Sequence, residues 1–229
     1  PLWSVRPKSD REAGDAIALC CGGQAYSFAE LAARVDAELR AFDARFDGRP
    51  YPLVATAELA TVITLLALLE LRVPALLLHP RLTPAEREAL LADAYQAGGV
   101  PHADAAAIIH TSGTTGTPRA AVLTRAALAA SARASAANLG WQPDDRWLAC
   151  MPLARVGGLS ILTRCLAARR AVVLAPGFDP DAFPALLDDE RVTLASLVPT
   201  MLARVLDTHP DWRPPARRCA VLVGGAHAP

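Results

Sequence analysis

Residues 108 to 124 read IIHTSGTTGTPRAAVLT, which places Thr111, Ser112, Gly113, Thr114, Thr115 and Gly116 directly behind an apolar run. Hydroxyls and backbone N–H groups in a glycine-rich turn can wrap an anion such as a polyphosphate, because glycine lets successive donors face one centre. Arg119 adds a permanent cation. The pattern lacks the Gly-Lys-Ser/Thr of a Walker A loop, and Ser112 is not centred in a G-x-S-x-G nucleophile elbow. The same residues also suit a plain surface turn, and on their own they leave both readings open. The five histidines, His79, His102, His110, His209 and His227, are scattered without metal-ligand or triad spacing, so no metal site is expected among them. His110, at the end of an apolar run, is expected to be packed or hydrogen-bonded.

The elements that must position this loop follow from the hydrophobic pattern. A chain of 229 residues, 52% of them hydrophobic, can bury a sizeable core. Lys plus Arg equals Asp plus Glu at 23 each, with no basic run, which argues against nucleic acid or an anionic membrane and leaves a small molecule as the expected partner. The most apolar stretch, residues 59–78, is interrupted by Glu70, Arg72 and Pro74, so it predicts a buried helix, a turn and a buried strand rather than a membrane insertion. No basic region followed by an apolar core and a small-residue cleavage site stands at the start of the sequence, so no secretory signal is expected there. Five cysteines without metal-type spacing favour a reducing, cytoplasmic setting. Short β-rich runs (AIALCC, PLVAT, ALLLH, AAAIIH, RWLACM, AVVLA, TLASLV, CAVLV) alternate with longer Ala/Leu helical patterns, which predicts an α/β fold on mainly parallel sheets. Ser27 with Glu30, and Thr83 with Pro84 and Glu86, mark helix starts; Gly98 and Gly99 are expected to stop the helix that Thr83 opens. Turn residues at 98–104 make a possible subdomain break.

TSGTTGTPR, followed by a small residue and an apolar strand, resembles the phosphate-binding loop of the adenylate-forming superfamily, which comprises acyl-CoA synthetases, luciferases and nonribosomal peptide adenylation domains. YSFAELAARVDAEL, MPLARVGGLSILTR, ASLVPTMLARVL and VLVGGAHAP resemble further family segments in the family's order. Within the superfamily the pattern is most similar to the ligases that join o-succinylbenzoate to coenzyme A. The resemblance implies the large N-terminal adenylation domain over residues 1–229, and a carboxylic acid activated by ATP with Mg²⁺ before transfer to coenzyme A. It also implies a phosphate loop of Thr111 to Gly116 with Arg119, and a nucleotide cleft edged by Gly224, Gly225 and Ala226. The acid pocket would include Arg155, Gly157, Gly158 and Thr200, with Arg164 and Ser196 on the acid's second carboxylate.

This chain departs from the family pattern at several places. Arg119 and Ala120 stand where the family has Lys-Gly, and Ala154-Arg155 where it commonly has an aromatic residue and histidine. The family's Thr-Glu motif, ribose-binding aspartate and C-terminal domain with its catalytic lysine have no counterpart before Pro229, so an incomplete domain with an uncovered sheet edge, prone to homo-oligomerise, is expected. A ligase for another aryl or fatty acid, or a noncatalytic nucleotide- or acyl-binding remnant, is also compatible with these residues.

Overall fold

The computed structural model describes residues 4–6, 14–42, 49–96, 102–111, 119–216 and 219–225. In chain order its elements are β1 (Ile17–Cys21), β2 (Gln24–Ser27), α1 (Phe28–Ala41), β3 (Tyr51–Val54), α2 (Leu59–Leu71), β4 (Ala75–Leu78) and α3 (Pro84–Gln96). Then follow β5 (Ala105–Thr111), β6 (Arg119–Thr124), α4 (Arg125–Leu139), β7 (Arg146–Ala149) and α5 (Val156–Ala168). The last are β8 (Ala171–Leu174), α6 (Phe183–Asp189), β9 (Leu194–Leu197), α7 (Pro199–Thr208) and β10 (Ala220–Val223).

The helices begin where the sequence punctuates them. Glu30 N donates to Ser27 Oγ at 3.2 Å while Ser27 N donates to Glu30 Oε2 at 2.7 Å, the reciprocal capping box that satisfies two otherwise orphaned donors of α1. Thr83 and Glu86 repeat the arrangement before α3, and Thr124 Oγ1 accepts from Ala127 N at the start of α4. Helix α4 ends at Gly140, whose φ of 59° is the left-handed conformation that glycine adopts without penalty. Helix α2 is apolar on every side, and most of its length is buried, as a helix between two sheets must be. Arg72 in the left-handed region and Pro74 then turn the chain into β4, the helix, turn and strand expected of residues 59–78. Gly98 and Gly99 lie outside the described residues.

Two sheets form. One has the order β10-β9-β7-β8-β1-β2 and the other β3-β4-β5-β6. Of eight strand pairings, six are parallel, so the mainly parallel expectation holds; the antiparallel ones are β1 with β2 and β5 with β6. The strand β2 is not singled out by periodicity. Its signal is Gly22-Gly23, both at positive φ, a two-residue turn that folds β2 back on β1. The stretch 98–104 falls between β4 and β5, which pair directly at Ala75↔Ala107 and Leu76↔Ile108. The chain changes sheet instead between β2 and β3 and again between β6 and β7.

Packing makes five layers. The largest core cluster joins the inner faces of both sheets (Leu19, Trp147, Leu194; Ala75, Leu77, Ile109) through α1, α2, α4 and α5. The outer face of the six-stranded sheet packs on α6 and α7 through Phe183, Leu187 and Val205. The outer face of the four-stranded sheet is covered by α3 over Leu76, Leu78 and Ile108.

Candidate functional site

Of the residues named for the phosphate loop, Thr111 ends β5 and Arg119 opens β6. The last pair of the β5–β6 ladder is Thr111↔Arg119, and Thr111 Oγ1 donates to the Arg119 carbonyl at 3.3 Å. The two ends of the intervening segment are therefore anchored side by side, at the strand end where α/β folds bind ligands. Thr111 and Arg119 are both exposed. Ser112, Gly113, Thr114, Thr115 and Gly116 lie outside the described residues.

Arg155 ties the two sheets together at this place. It is the N-cap of α5, reached from the six-stranded sheet, and its Nη1 donates to the His110 carbonyl of β5 at 3.0 Å. A cavity of about 170 Å³ opens between them, with His79, His110, Thr111, Arg155, Leu77 and Leu90 in its wall. Both ring nitrogens of His110 are buried and have no hydrogen-bond partner among the described residues. Burial holds the His110 pKa below that of an ordinary histidine, with Asp93 opposing and the Arg155 charge adding to the depression. Burial and the charges of Arg155 and Arg81 lower His79 likewise. Arg81 N donates to His79 Nδ1 at 3.1 Å, which leaves the proton of the neutral ring on Nε2.

Arg164 and Ser196 meet through a residue that sequence reasoning passed over. Trp147, fully buried on β7, donates from its indole N–H to Ser196 Oγ at 3.0 Å, and the Arg164 guanidinium lies 5.9 Å from its ring centroid. Arg164 Nη2 also donates to Ser131 Oγ at 3.1 Å, while its Nε is buried without a partner among the described residues. Burial lowers the Arg164 pKa, and no carboxylate bonds to it among the described residues. Desolvation without a counter-charge leaves this cation suited to an incoming anion. The only advance signal for Trp147 was a large aromatic residue in a strand otherwise made of smaller ones.

At the carboxyl ends of β9 and β10, Gly224 N donates to the Leu197 carbonyl at 3.1 Å. Gly225 has φ of 85°, and a Cβ on it would stand 3.4 Å from Val198. Thr200 is exposed in the first turn of α7, whose N-cap Val198 offers no side-chain cap. Ala226 lies outside the described residues. Gly157 and Gly158 sit in the first turn of α5, and the close approach Gly158 permits is to the chain's own Met151 and Pro152 carbonyls. Among the described residues there is no group of three or more His, Cys, Asp or Glu that could hold a metal ion. No described helix is long and apolar enough to cross a membrane.

Residues 95–229 match the family model of the AMP-binding enzymes. The chain belongs to that family. The chain is 42% identical over 127 residues to the 2-succinylbenzoate–CoA ligase of Bacillus cytotoxicus, an alignment covering 56% of the chain and 26% of the ligase. Its fold matches o-succinylbenzoate CoA synthetase from Bacillus subtilis in complex with the acyl-adenylate intermediate, at a TM-score of 0.80 and 28% identity over 93% of the chain and 66% of that protein. The same synthetase in complex with ATP and magnesium ion matches at 0.77 and 27% identity, over 91% of the chain and 66% of that protein. The chain thus spans less than two thirds of the length of these relatives.

Proposed function

We propose that the protein carrying this chain is an ATP-dependent carboxylate–CoA ligase that forms an acyl-adenylate and then an acyl-CoA thioester, with o-succinylbenzoate as the acid. The observation that carries this reading is the anchoring of the Gly/Thr loop at the paired ends of β5 and β6, in a fold shared with a synthetase solved with its acyl-adenylate. In this reading the acid's carboxylate attacks the α-phosphorus of ATP and pyrophosphate leaves. The thiolate of coenzyme A then displaces AMP from the mixed anhydride. Positioning and charge neutralisation are the protein's share of such chemistry. The loop residues Thr111 to Gly116 hold the leaving phosphates, Arg119 supplies positive charge at their root, and Gly224 and Gly225 leave room beside the nucleotide. Mg²⁺ supplies charge neutralisation on the polyphosphate when bound. Arg164, half-buried with no acidic partner among the described residues, receives the carboxylate that does not react, with Ser196 beside it.

The test is acid-dependent pyrophosphate exchange in the intact protein that carries the chain. Thr114→Ala combined with Thr115→Ala should reduce exchange at least about tenfold, the scale of losing one positioned donor. Arg164→Ala should lower kcat/KM for o-succinylbenzoate by about 2–4 kcal/mol, the cost of removing one member of a buried charge pair, and affect a monocarboxylic acid far less. Unchanged exchange in the folded double variant, or equal losses for both acids, would refute the respective assignment.

A further inference from the structure

We propose that the cleft at the amino ends of β1, β7, β8 and β9 binds the phosphate group of a small molecule, at a site separate from that of the nucleotide. The cavity there measures about 430 Å³, and its wall carries Arg146, Arg169, Arg170 and Arg191. Chain order explains why they gather. Arg146 opens β7, Arg169 and Arg170 lie between α5 and β8, and Arg191 lies between α6 and β9. These three strands run parallel side by side, so each begins at the same edge of the sheet with arginine at its entry. The 13 residues of α5 put about 20 Å between this edge and Arg155 at the helix's other end.

Charge and donor geometry select the ligand. Among the described residues of the wall, four arginines stand against two carboxylates, Asp144 and Asp145, an excess of two positive charges. The carboxyl ends of α5 and α6 carry about half a negative charge each, which reduces that excess without cancelling it. Asp145 is buried and accepts from Gln142 N at 2.7 Å and from Thr193 Oγ1 at 2.8 Å. Arg146, Arg170 and Arg191 form no ion pair among the described residues. Two of the guanidinium groups are steadied by carbonyls: Arg146 Nη1 donates to that of Glu190 at 3.3 Å, and Arg170 Nη1 to that of Arg169 at 2.9 Å. The Nε of Arg170 is buried with no acceptor among the described residues, a donor that a ligand oxygen would satisfy. A left-handed arginine after a helix does not by itself make a site, since Arg72 ends α2 in the same way. What distinguishes the cleft is that arginines from three separate strand entries line one cavity. A carboxylate is filled by one guanidinium fork, whereas a phosphate group presents three peripheral oxygens and nearly two negative charges, which suits several forks around one centre. The cavity has the volume of about fourteen waters at about 30 Å³ each, enough for the free ion or for an ester with a small polar body.

The test is calorimetric titration of the intact protein that carries the chain, with a nonhydrolysable ATP analogue and Mg²⁺ in excess to occupy the nucleotide site. Inorganic phosphate is the probe in one arm and ribose 5-phosphate in the other. Saturable binding is expected, and the tighter arm tells the free ion from the ester. Arg170→Gln and Arg191→Gln should each weaken binding at least tenfold, and Arg170→Lys should retain part of it. Arg191 is exposed, so its variant is expected to fold, and an unchanged melting temperature separates lost binding from lost structure. Thr114→Ala combined with Thr115→Ala should bind the probe as the parent does. Absence of saturable binding in both arms, binding unaltered in either glutamine variant, or ribose binding as tightly as ribose 5-phosphate would overturn the proposal. So would loss of binding in the phosphate-loop double variant. The site requires no step of the ligase reaction, so its failure is distinguishable from failure of pyrophosphate exchange.

Discussion

Two adjacent glycines show how far a residue's role depends on what stands beside it. A Cβ on Gly158 would lie 2.4 Å from the Pro152 carbonyl oxygen and 2.5 Å from that of Met151, and backbone cannot move aside cheaply. On Gly157 the nearest atom, at 2.9 Å, is Met151 Cε, the end of a flexible side chain. Alanine in a helix gains about 1 kcal/mol over glycine, whereas overpacking costs about 1–3 kcal/mol. Gly158→Ala should therefore lose net stability in urea titrations, and Gly157→Ala should stay within about 0.5 kcal/mol of the parent. A Gly158→Ala protein as stable as the parent would refute the crowding. The pair is conspicuous in the sequence as Gly-Gly, but which of the two is obligatory is not, since the answer lies in the path of Met151 and Pro152. His79, His110 and Arg155 were legible only as isolated side chains. They converge because β4, β5 and the segment after β7 all end at the same edge.

At the scale of elements, the caps and periodicities that sequence reading uses were sufficient for the helices. Ser27→Ala should cost about 1 kcal/mol, since it removes the side-chain oxygen that accepts from Glu30 N. An unchanged denaturation midpoint would count against the capping box as a contributor. The helices should also differ in local stability. Helix α3 covers the smallest of the three clusters and none of residues 84–95 is buried, whereas seven residues of α2 are buried between the sheets. Amides in the middle of α3 should exchange with solvent well before those of α2, and the reverse order would contradict this packing. The division into two sheets was not legible, because it depends on which strands meet across the chain. β1 pairs with β8 through Leu19↔Val172, a contact that no local pattern encodes. The β5–β6 ladder was closer to hand, since apolar residues flank the glycine-rich segment on both sides.

For the molecule as a whole, the thiols set a limit on the alkaline side. Burial holds the Cys150 thiol up at about 11, against 9.0 for an ordinary one, and raises Cys20, Cys21 and Cys165 as well. Above pH 9 the unfolded chain loses these protons while the folded chain keeps them, so the unfolded state binds fewer protons and stability falls as pH rises. Below pH 9 the contribution is fully present. Cys150 alone should cost about 2–3 kcal/mol by the time the pH has passed 11. Urea midpoints at pH 8 and pH 10.5 should show the decline, and Cys150→Ala should lessen it. The topology also has a temporal consequence. The four strands β3 to β6 are consecutive in the chain and can join as soon as residue 124 has been made. The β1–β2 hairpin, synthesised earlier, has to wait for β8 to pair with β1. On a ribosome adding about 5–20 residues per second, that delay is on the order of ten seconds or more, during which the apolar face of β1 depends on chaperones or on non-native contacts.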